Sequence, residues 1–348
     1  SFRIIMKTFK ILTLALAASM AVTSCHNGDN EFPDFDYQAV YFANQRVGRT
    51  IELGRDSDID LTIDNQHIMY VKAVMGGAYS NSKNRVINIS VDESLCDGLY
   101  LSSDFGGRKV LPLPESYYTL ESNAITIPSG SMDGGVNVRL TDAFFNDPKA
   151  LDFNYVLPLV MNSAIGVDSI LQGKPMVENP NRLISSDWTV APKDYTLYFV
   201  RYVNPWHAIY LRSGKDILTV DGVSTEIVRK ASDVIKDEQV SVVTAGYKEC
   251  TLALSTKTDG DHVYNYTLKL TFAEDGTCAL SSTDPAVTIT GTGSFVENGE
   301  KNVINNEDRD ALYLDYTVTT PGWSLKTKDT LVLRNRGVQA VYPTIEVK

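Results

Sequence analysis

Hydrophobic and polar residues alternate one by one in many short stretches of this chain. Val136, Val138 and Leu140, for example, are separated by polar residues. The longest stretch of this kind spans residues 264–272, and its apolar positions are Tyr264, Tyr266, Leu268, Leu270 and Phe272. A period of two residues is typical of a β-strand with one buried face and one wet face. The pattern therefore predicts an all-β fold.

Turn signals separate these stretches, whereas helical periodicity is scarce. Asp-Gly pairs at positions 221–222, 259–260 and 275–276 predict hairpin turns, because glycine adopts the positive φ that such turns require. A short helix is predicted only for residues 232–239, and a single helical turn for residues 143–150.

A segment with little alternation divides the strands into two blocks. Residues 163–192 contain Gly166, Gly173, Pro175, Pro180 and Pro192, a composition typical of a connector. We predict an immunoglobulin-like β-sandwich at 37–164, a connector at 165–192 and an antiparallel, lipocalin-like β-barrel at 193–348. A second sandwich is the alternative for the last block.

The first 24 residues have the features of a bacterial signal peptide. Lys7 and Lys10 precede an apolar stretch at 11–18 that is too short to span a bilayer. Small residues then lead to Cys25, an arrangement that resembles the lipobox of bacterial lipoproteins. The resemblance implies cleavage before Cys25 and acylation of that cysteine. A plain secretory signal with an incidental cysteine is the alternative.

Residues 25–36 are polar and acidic, and they predict a solvated tether. Acidic residues just after the lipidated cysteine resemble the surface-export signal of Bacteroidetes lipoproteins, which implies an outer-membrane protein exposed at the cell surface. The formal net charge is −11, and losing Arg3, Lys7 and Lys10 with the signal peptide leaves −14. This charge argues against a nucleic-acid partner, which would require a basic surface.

Three cysteines remain after Cys25, namely Cys96, Cys250 and Cys278, and no pair has C-x-x-C spacing. An odd number without that spacing predicts buried free thiols and argues against both a disulfide framework and a zinc site. Pairing of Cys250 with Cys278 is the alternative.

The acidic residues form no recognisable catalytic motif. Asp56, Asp58 and Asp60 alternate, so they could approach a calcium ion, but a wet strand face is the preferred interpretation. Asp308 and Asp310 lie in an Asn-rich stretch typical of a loop. We therefore predict no catalytic residues, no metal and no cofactor.

Aromatic side chains are the positive indication of function, because the flat faces of their rings suit the C–H faces of sugars. Trp188 falls in the connector and Trp323 follows a Pro-Gly pair, so both are candidates for an exposed glycan platform. Ordinary packing of a loop against a domain is the alternative for both. Trp206 is predicted to plug one end of the barrel.

Two tripeptides, Asp168-Ser169-Ile170 and Asp329-Thr330-Leu331, resemble the O-glycosylation sites of Bacteroidetes. They make Ser169 and Thr330 candidate modification sites. The connector site, Ser169, is preferred because modification requires an accessible backbone.

Segments in both blocks resemble one family of bacterial surface proteins. They are residues 39–42 (AVYF), 125–130 (ITIPSG), 204–210 (NPWHAIY) and 328–334 (KDTLVLR). With the lipobox, they resemble two-domain Bacteroidetes surface lipoproteins of polysaccharide-utilisation loci, labelled adhesins or surface glycan-binding proteins. The resemblance implies an immunoglobulin-like N-terminal domain and a lipocalin-like C-terminal domain, but it brings no defined set of binding residues.

The expected function is non-catalytic capture of glycan for an outer-membrane polysaccharide uptake system, with the proteins of that system as further partners. This expectation follows mainly from the resemblance, because a fold alone does not determine function. An adhesive or structural protein that contacts a protein partner is the first alternative, and a glycosidase of unrecognised type is the second.

Overall fold

β-Strands dominate the computed structural model, which describes residues 37–258 and 262–348. The strands of the first half are β1 (Ala39–Tyr41), β2 (Arg46–Glu52), β3 (Ile68–Gly76), β4 (Arg85–Val91), β5 (Leu99–Leu101), β6 (Leu111–Pro112), β7 (Tyr118–Leu120), β8 (Ala124–Ile127), β9 (Asp133–Leu140), β10 (Tyr155–Ile165), β11 (Ser169–Ile170), β12 (Lys174–Pro175), β13 (Trp188–Val190) and β14 (Tyr195–Val203). The remaining strands are β15 (Ala208–Val220), β16 (Val223–Arg229), β17 (Glu238–Gly246), β18 (Glu249–Lys257), β19 (Val263–Phe272), β20 (Thr277–Ser281), β21 (Thr288–Ile304), β22 (Glu307–Thr319), β23 (Trp323–Asn335) and β24 (Ile345–Val347). The predicted all-β class is confirmed.

Helices in the described residues are single turns. The two α-helices are α1 (Thr62–Asn65) and α2 (Asp142–Phe145). The 3₁₀ turns are Glu93–Cys96, Ser103–Phe105, Glu115–Tyr117, Pro148–Leu151, Ser185–Asp187 and Val234–Lys236. The helix predicted for residues 232–239 is therefore wrong: the Asp233 side chain caps one 3₁₀ turn and β17 begins at Glu238.

The first sheet is sandwich-like and has the strand order β11-β1-β3-β9-β8-β4-β10-β14-β2, with β6 beside β10 and β7 beside β9. β10 and β14 are covered on both faces. Leu157 and Val200 belong to one hydrophobic cluster, whereas Val156 and Phe199 belong to a second cluster on the other face. Burial of both faces explains why these strands read as continuous apolar runs.

The second sheet is a closed antiparallel barrel. Its ring order is β15-β17-β18-β19-β20-β21-β22-β23, and β23 pairs with β15 to complete it. β16 lies outside the ring as a hairpin partner of β15. The hairpin turn predicted at 221–222 is confirmed, since Asp221 and Gly222 have φ values of 50° and 81°.

The boundary between the two parts differs from the predicted one at residue 193. β14 pairs with β10 and β2, so residues 195–203 belong to the first sheet. The C-terminal strand β24 also returns to the first part and pairs with β5. Alternation alone could not show the pairing of β14 or of β24, because packing between distant segments determines which strands pair. The predicted connector also contains strands, since β11 pairs with β1 and β12 pairs with β13.

The first part and the barrel are joined by buried hydrogen bonds next to β14. Arg336 is only 3% exposed, and its guanidinium donates to three backbone carbonyl oxygens at 2.8 to 3.0 Å, those of Arg55, Asn204 and His207. The buried Asn204 amide donates in turn to carbonyl oxygens of the turn between β17 and β18, at 2.9 and 3.0 Å.

Aromatic rings complete this seam. Tyr247, in the turn between β17 and β18, packs against Phe145 and Tyr202 of the first part, with ring centroids 5.7 and 6.5 Å apart. The ring of His67 packs against that of Phe145, with centroids 4.1 Å apart and planes tilted by 38°. Because burial disfavours the charged imidazolium, the pKa of His67 lies below its usual value.

Three free, buried thiols, Cys96, Cys250 and Cys278, occur in the described residues, as predicted. Burial raises the pKa of Cys250 to about 12, so this thiol stays protonated and unreactive near neutral pH. None of the helices in residues 37–258 and 262–348 has the length and apolar character needed to cross a membrane.

Arg336→Ala is expected to lower the free energy of unfolding by about 3–5 kcal/mol, because it removes a buried side chain and the three hydrogen bonds that it donates to backbone carbonyl oxygens. Urea denaturation followed by tryptophan fluorescence measures the change. Arg334→Ala, which removes an exposed arginine two residues away, is the control and should cost less than about 1 kcal/mol. Equal losses in the two variants would contradict the role assigned to Arg336.

Candidate functional site

Side chains fill the inside of the barrel. Trp206 stacks on Phe272 at one end, with ring centroids 4.1 Å apart and an interplanar angle of 6°. Trp206 thus packs against the core of the barrel, as expected of a structural residue. At the opposite end Trp323 packs edge-on against Tyr264, with centroids 5.4 Å apart.

A layer of charged side chains lies between these aromatic ends. Asp329 of β23 is fully buried, and its carboxylate accepts from Arg212 Nε at 3.1 Å and from Arg229 Nη2 at 2.6 Å. The hydroxyl group of Tyr316 donates to the same carboxylate at 2.9 Å. Two cations and a hydroxyl thus satisfy one buried anion, the condition under which a buried charge is tolerated.

Asp216 is the second anion of this layer. Burial would raise the pKa of Asp216, but hydrogen bonds from Arg229 and Thr327 outweigh it and hold the pKa below its usual value. Gly214 makes the close packing possible, because a Cβ atom there would lie 2.7 Å from Oδ1 of Asp329. The alternating inward positions 212, 214 and 216 of β15 therefore carry arginine, glycine and aspartate because all three contact or make room for this buried charge network.

On the outer wall, β20 to β23 form an open groove of about 780 Å³. Three consecutive residues of each strand line it, and the middle residue of each triplet belongs to the barrel interior or faces it: Cys278, Gly293, Leu314 and Asp329. The flanking residues point outward, as strand alternation requires. A groove of this size is within the usual range for small-ligand sites.

Strand register arranges the outward residues in two rows across the groove. One row is Thr277, Ser294, Tyr313 and Thr330, and the other is Ala279, Thr292, Asp315 and Lys328. Neighbours within a row are about 5 Å apart, and the rows are about 7 Å apart. Small side chains on β20 and β21 form a shallow floor beside the larger side chains of β22 and β23.

Tyr313 supplies the aromatic surface of the groove. Its ring is half-buried, and its hydroxyl donates to Glu300 Oε1 at 2.8 Å. Burial and this hydrogen bond raise the pKa of Tyr313 to about 12, so the phenol stays neutral. Gly299 packs closely over the hydroxyl, since a Cβ atom there would lie 3.0 Å from it. The ring is thus held in one orientation.

Asp315 and Lys328 supply the charged groups of the groove. Lys328 Nζ lies 3.0 Å from Asp315 Oδ2, and the side chains are 73% and 54% exposed, respectively. An exposed pair of this kind contributes little to stability. Its donor and acceptor atoms are therefore available to a ligand at little cost.

The structure places the two predicted tryptophans on different sheets. Trp188 lies in β13, half-buried, and its indole N–H donates to the Asn181 carbonyl oxygen at 2.8 Å. Trp323 begins β23, and it packs against the core of the barrel. Because the two residues do not share a surface, they cannot form a single platform, and glycan contact by either remains a prediction.

The two predicted glycosylation sites also differ in setting. Ser169 lies in β11, where its hydroxyl accepts from the hydroxyl of Tyr37. Thr330 lies in the groove, directly opposite Tyr313, on a strand paired on both sides. The acidic residue before it, Asp329, is explained by the buried ion pairs. A glycan on Thr330 would occupy the same space as a ligand on Tyr313.

Cys25, the predicted lipidation site, lies outside the described residues.

The two acidic stretches singled out in the sequence meet between the first part and the barrel. There a pocket of about 100 Å³ is lined by acidic residues and by three arginines, Arg55, Arg309 and Arg336. Asp56 and Asp58 lie in a loop and not on a strand face. Within the described residues, no group of three His, Cys, Asp or Glu side chains could hold a metal ion.

Sequence reasoning missed Tyr313 because tyrosine at an alternating position is ordinary in a strand. Only the pairing of β22 with β23 shows that Tyr313, Asp315, Lys328 and Thr330 are neighbours. A weak signal of close strand packing is present in Gly291 and Gly293. They lie within β21, and a Cβ atom at either position would clash with Tyr316 or Leu314 of β22.

Two family models match the chain. Residues 205–337, which include the barrel, match a domain of unknown function, DUF5627. Residues 35–168 match a model described as an N-terminal domain. No functionally curated protein matches the chain.

Solved structures from Bacteroides are similar to the chain. A Bacteroides ovatus protein of unknown function is 49% identical, with a TM-score of 0.86, and the match covers 90% of this chain and all of that one. A second Bacteroides ovatus protein of unknown function is 13% identical, with a TM-score of 0.42 over 88% of this chain and all of that one. An auxiliary nutrient binding protein from Bacteroides thetaiotaomicron is 12% identical, with a TM-score of 0.37 over 83% of this chain and 91% of that one. TM-scores below 0.5 carry no information about this chain's function.

Asp329→Asn is expected to lower the free energy of unfolding by about 3–5 kcal/mol, because it leaves Arg212 and Arg229 short of a buried counter-charge. Equilibrium urea denaturation measures this loss. Asp315→Asn makes the same chemical change on the exposed side of the neighbouring strand and should cost less than about 1 kcal/mol. If Asp329→Asn lowered the free energy of unfolding no more than Asp315→Asn does, the ion pairs of Asp329 would not be what stabilises β23.

Proposed function

The chain belongs to the same family as the Bacteroides ovatus protein with which it shares 49% identity. We propose that it is a non-catalytic, lipid-anchored surface protein that binds glycan. The barrel presents the binding surface, and the sandwich-like first part supports it. The proposed setting is the outer membrane, where the protein supplies glycan to an uptake system.

The groove on the barrel wall is the observation that carries this proposal. It combines one oriented aromatic ring, Tyr313, with the hydroxyl groups of Ser294 and Thr330 and with the charged pair of Asp315 and Lys328. Sugars present both C–H faces and hydroxyl groups, so an aromatic surface beside fixed polar groups suits them. The open shape of the groove admits a chain that extends beyond its ends.

The carboxylates of the groove support a binding role over glycoside hydrolysis. Hydrolysis requires two carboxyl groups that face the scissile bond from opposite sides. Asp315 faces the groove, but the carboxylate of Asp329 is fully buried and points into the barrel towards Arg212 and Arg229. These two carboxyl groups are therefore on opposite sides of the barrel wall.

Adhesion to a protein partner is the second candidate, and the edge strand β16 favours it. β16 pairs with β15 on one side, and no other strand of the described residues pairs with it. Val223 and Val228 on this strand are 69% and 66% exposed. An exposed strand edge of this kind can accept a strand from another protein.

Lipidation has its own test. Cys25→Ser, introduced in a bacterium that processes lipoproteins, is expected to abolish labelling of the protein with radioactive palmitate, because the thiol that carries the acyl chains is lost. Autoradiography after immunoprecipitation measures the label, and Cys96→Ser is the matched control. Equal labelling of the Cys25→Ser variant and the unmodified protein would refute anchoring through Cys25.

Glycan binding is tested with the soluble chain from residue 26 onward on a broad panel of plant and host glycans. Tyr313→Ala is expected to weaken a specific hit by about tenfold or more, because it removes the aromatic surface. Tyr313→Phe keeps the ring and should stay within about threefold of the unmodified protein. Isothermal titration calorimetry gives the affinities.

The outcomes of that experiment separate the candidate sites and functions. Trp188→Ala and Trp323→Ala are measured beside the Tyr313 variants. If either tryptophan substitution lowers the affinity for the bound glycan and Tyr313→Ala does not, the binding site lies outside the groove. Silence across the whole panel would contradict glycan binding and leave the protein-partner alternative.

A further inference from the structure

We propose that the groove recognises uncharged sugars, through two neighbouring ring hydroxyls that bridge Asp315 and Lys328. This inference rests on the proposed function, because it names the class of glycan that the same site takes. The two side chains face each other across paired strands, with Lys328 Nζ 3.0 Å from Asp315 Oδ2.

The chemistry of the pair suits a vicinal diol. Carboxylate oxygens only accept hydrogen bonds, and an ammonium group only donates them. Neighbouring hydroxyl oxygens of a pyranose are about as far apart as two hydrogen-bonded atoms. One hydroxyl can therefore donate to Asp315 while the next accepts from Lys328. Hydrogen bonds to charged partners are about twice as strong as neutral ones, so both contacts favour binding.

The position of the pair relative to Tyr313 suits a single sugar ring. Asp315 follows Tyr313 by two residues on β22, so the two outward side chains are about 7 Å apart. A pyranose whose C–H face lies on the Tyr313 ring therefore extends its hydroxyl edge towards Asp315 and Lys328. Thr330, opposite Tyr313, lies beside the same sugar.

The charge of the groove opposes anionic glycans. Asp315 neutralises Lys328, and the other outward residues of the two rows are uncharged. Lys215 of β15 lies opposite Lys328 in the paired strands, and its Nζ lies 2.7 Å from Glu226 Oε2, so its charge is also paired. A uronate or sulfate group would have to displace Asp315 from Lys328, on a protein whose net charge is −11.

Lys326 is the cation that could favour an anionic ligand. It is the outward residue of β23 two positions before Lys328, and it is exposed. However, it lies outside the residues that line the groove. It therefore serves as a control position, since its replacement changes the local charge by the same amount as replacement of Lys328.

The test uses the soluble chain from residue 26 onward, with polygalacturonate, its carboxyl-reduced neutral form, chondroitin sulfate, and neutral glucan, mannan and galactan. We expect binding within the neutral set, with an affinity that changes by less than about twofold between 50 and 500 mM NaCl. Asp315→Asn and Lys328→Gln should each weaken binding by about tenfold or more, whereas Lys326→Gln should change it by less than about twofold. Denaturation curves of the variants establish that each is folded.

Three results would overturn the inference while leaving glycan binding intact. They are preference for the anionic polysaccharides, an affinity that falls steeply with salt, and binding that is lost in Tyr313→Ala but unchanged in Asp315→Asn and Lys328→Gln. Absence of binding to every polysaccharide would instead overturn the proposed function itself.

Discussion

The barrel depends on one buried carboxylate, Asp329, that Arg212 and Arg229 share. An unpaired carboxylate at this depth would cost several kcal/mol, so β23 can close the ring only where both guanidinium groups reach it. Arg229 comes from the β16 hairpin, which explains why that hairpin folds back along β15 although it lies outside the ring. Because side chains alternate along a strand, fixing Asp329 inward also fixes Lys328 and Thr330 outward. The interior charge and the exterior groove are two consequences of one register.

Buried contacts between the first part and the barrel fix the barrel in place near Arg336. Arg336 and Asn204 are buried, and each binds backbone groups, which cannot change rotamer as side-chain partners can. Tyr247 adds aromatic contacts beside them. The pKa of His207, next to this seam, is lowered to about 4, mainly by burial and also by Arg336, so its ring stays neutral and accepts a hydrogen bond from the backbone N–H of Thr244. The barrel is therefore held to the first part by groups that remain in one protonation state at neutral pH.

Local pattern predicted the strands well, because alternation records burial directly. The run from Tyr264 to Phe272 is β19, and the 221–222 pair is a hairpin turn. Pattern could not assign β14, whose apolar run reads the same in either sheet, nor the return of β24 to β5. The site was missed for a related reason: Tyr313 and Lys328 are far apart in sequence, and only pairing brings them into one block. What the sequence lacks is information on partners, which arises from packing between distant segments.

The filled interior changes what a lipocalin-like barrel can do. Lipocalins hold a small ligand inside, but here the aromatic ends and the charged layer occupy that space. In the proposed function the outer wall is the recognition surface, and the packed interior behind it supports a groove that is formed before a ligand arrives. Preorganised polar groups lose little entropy on binding, which matters most for a shallow site that makes few contacts. A filled barrel with an open external groove is thus suited to long glycan chains, which could not enter a closed cavity.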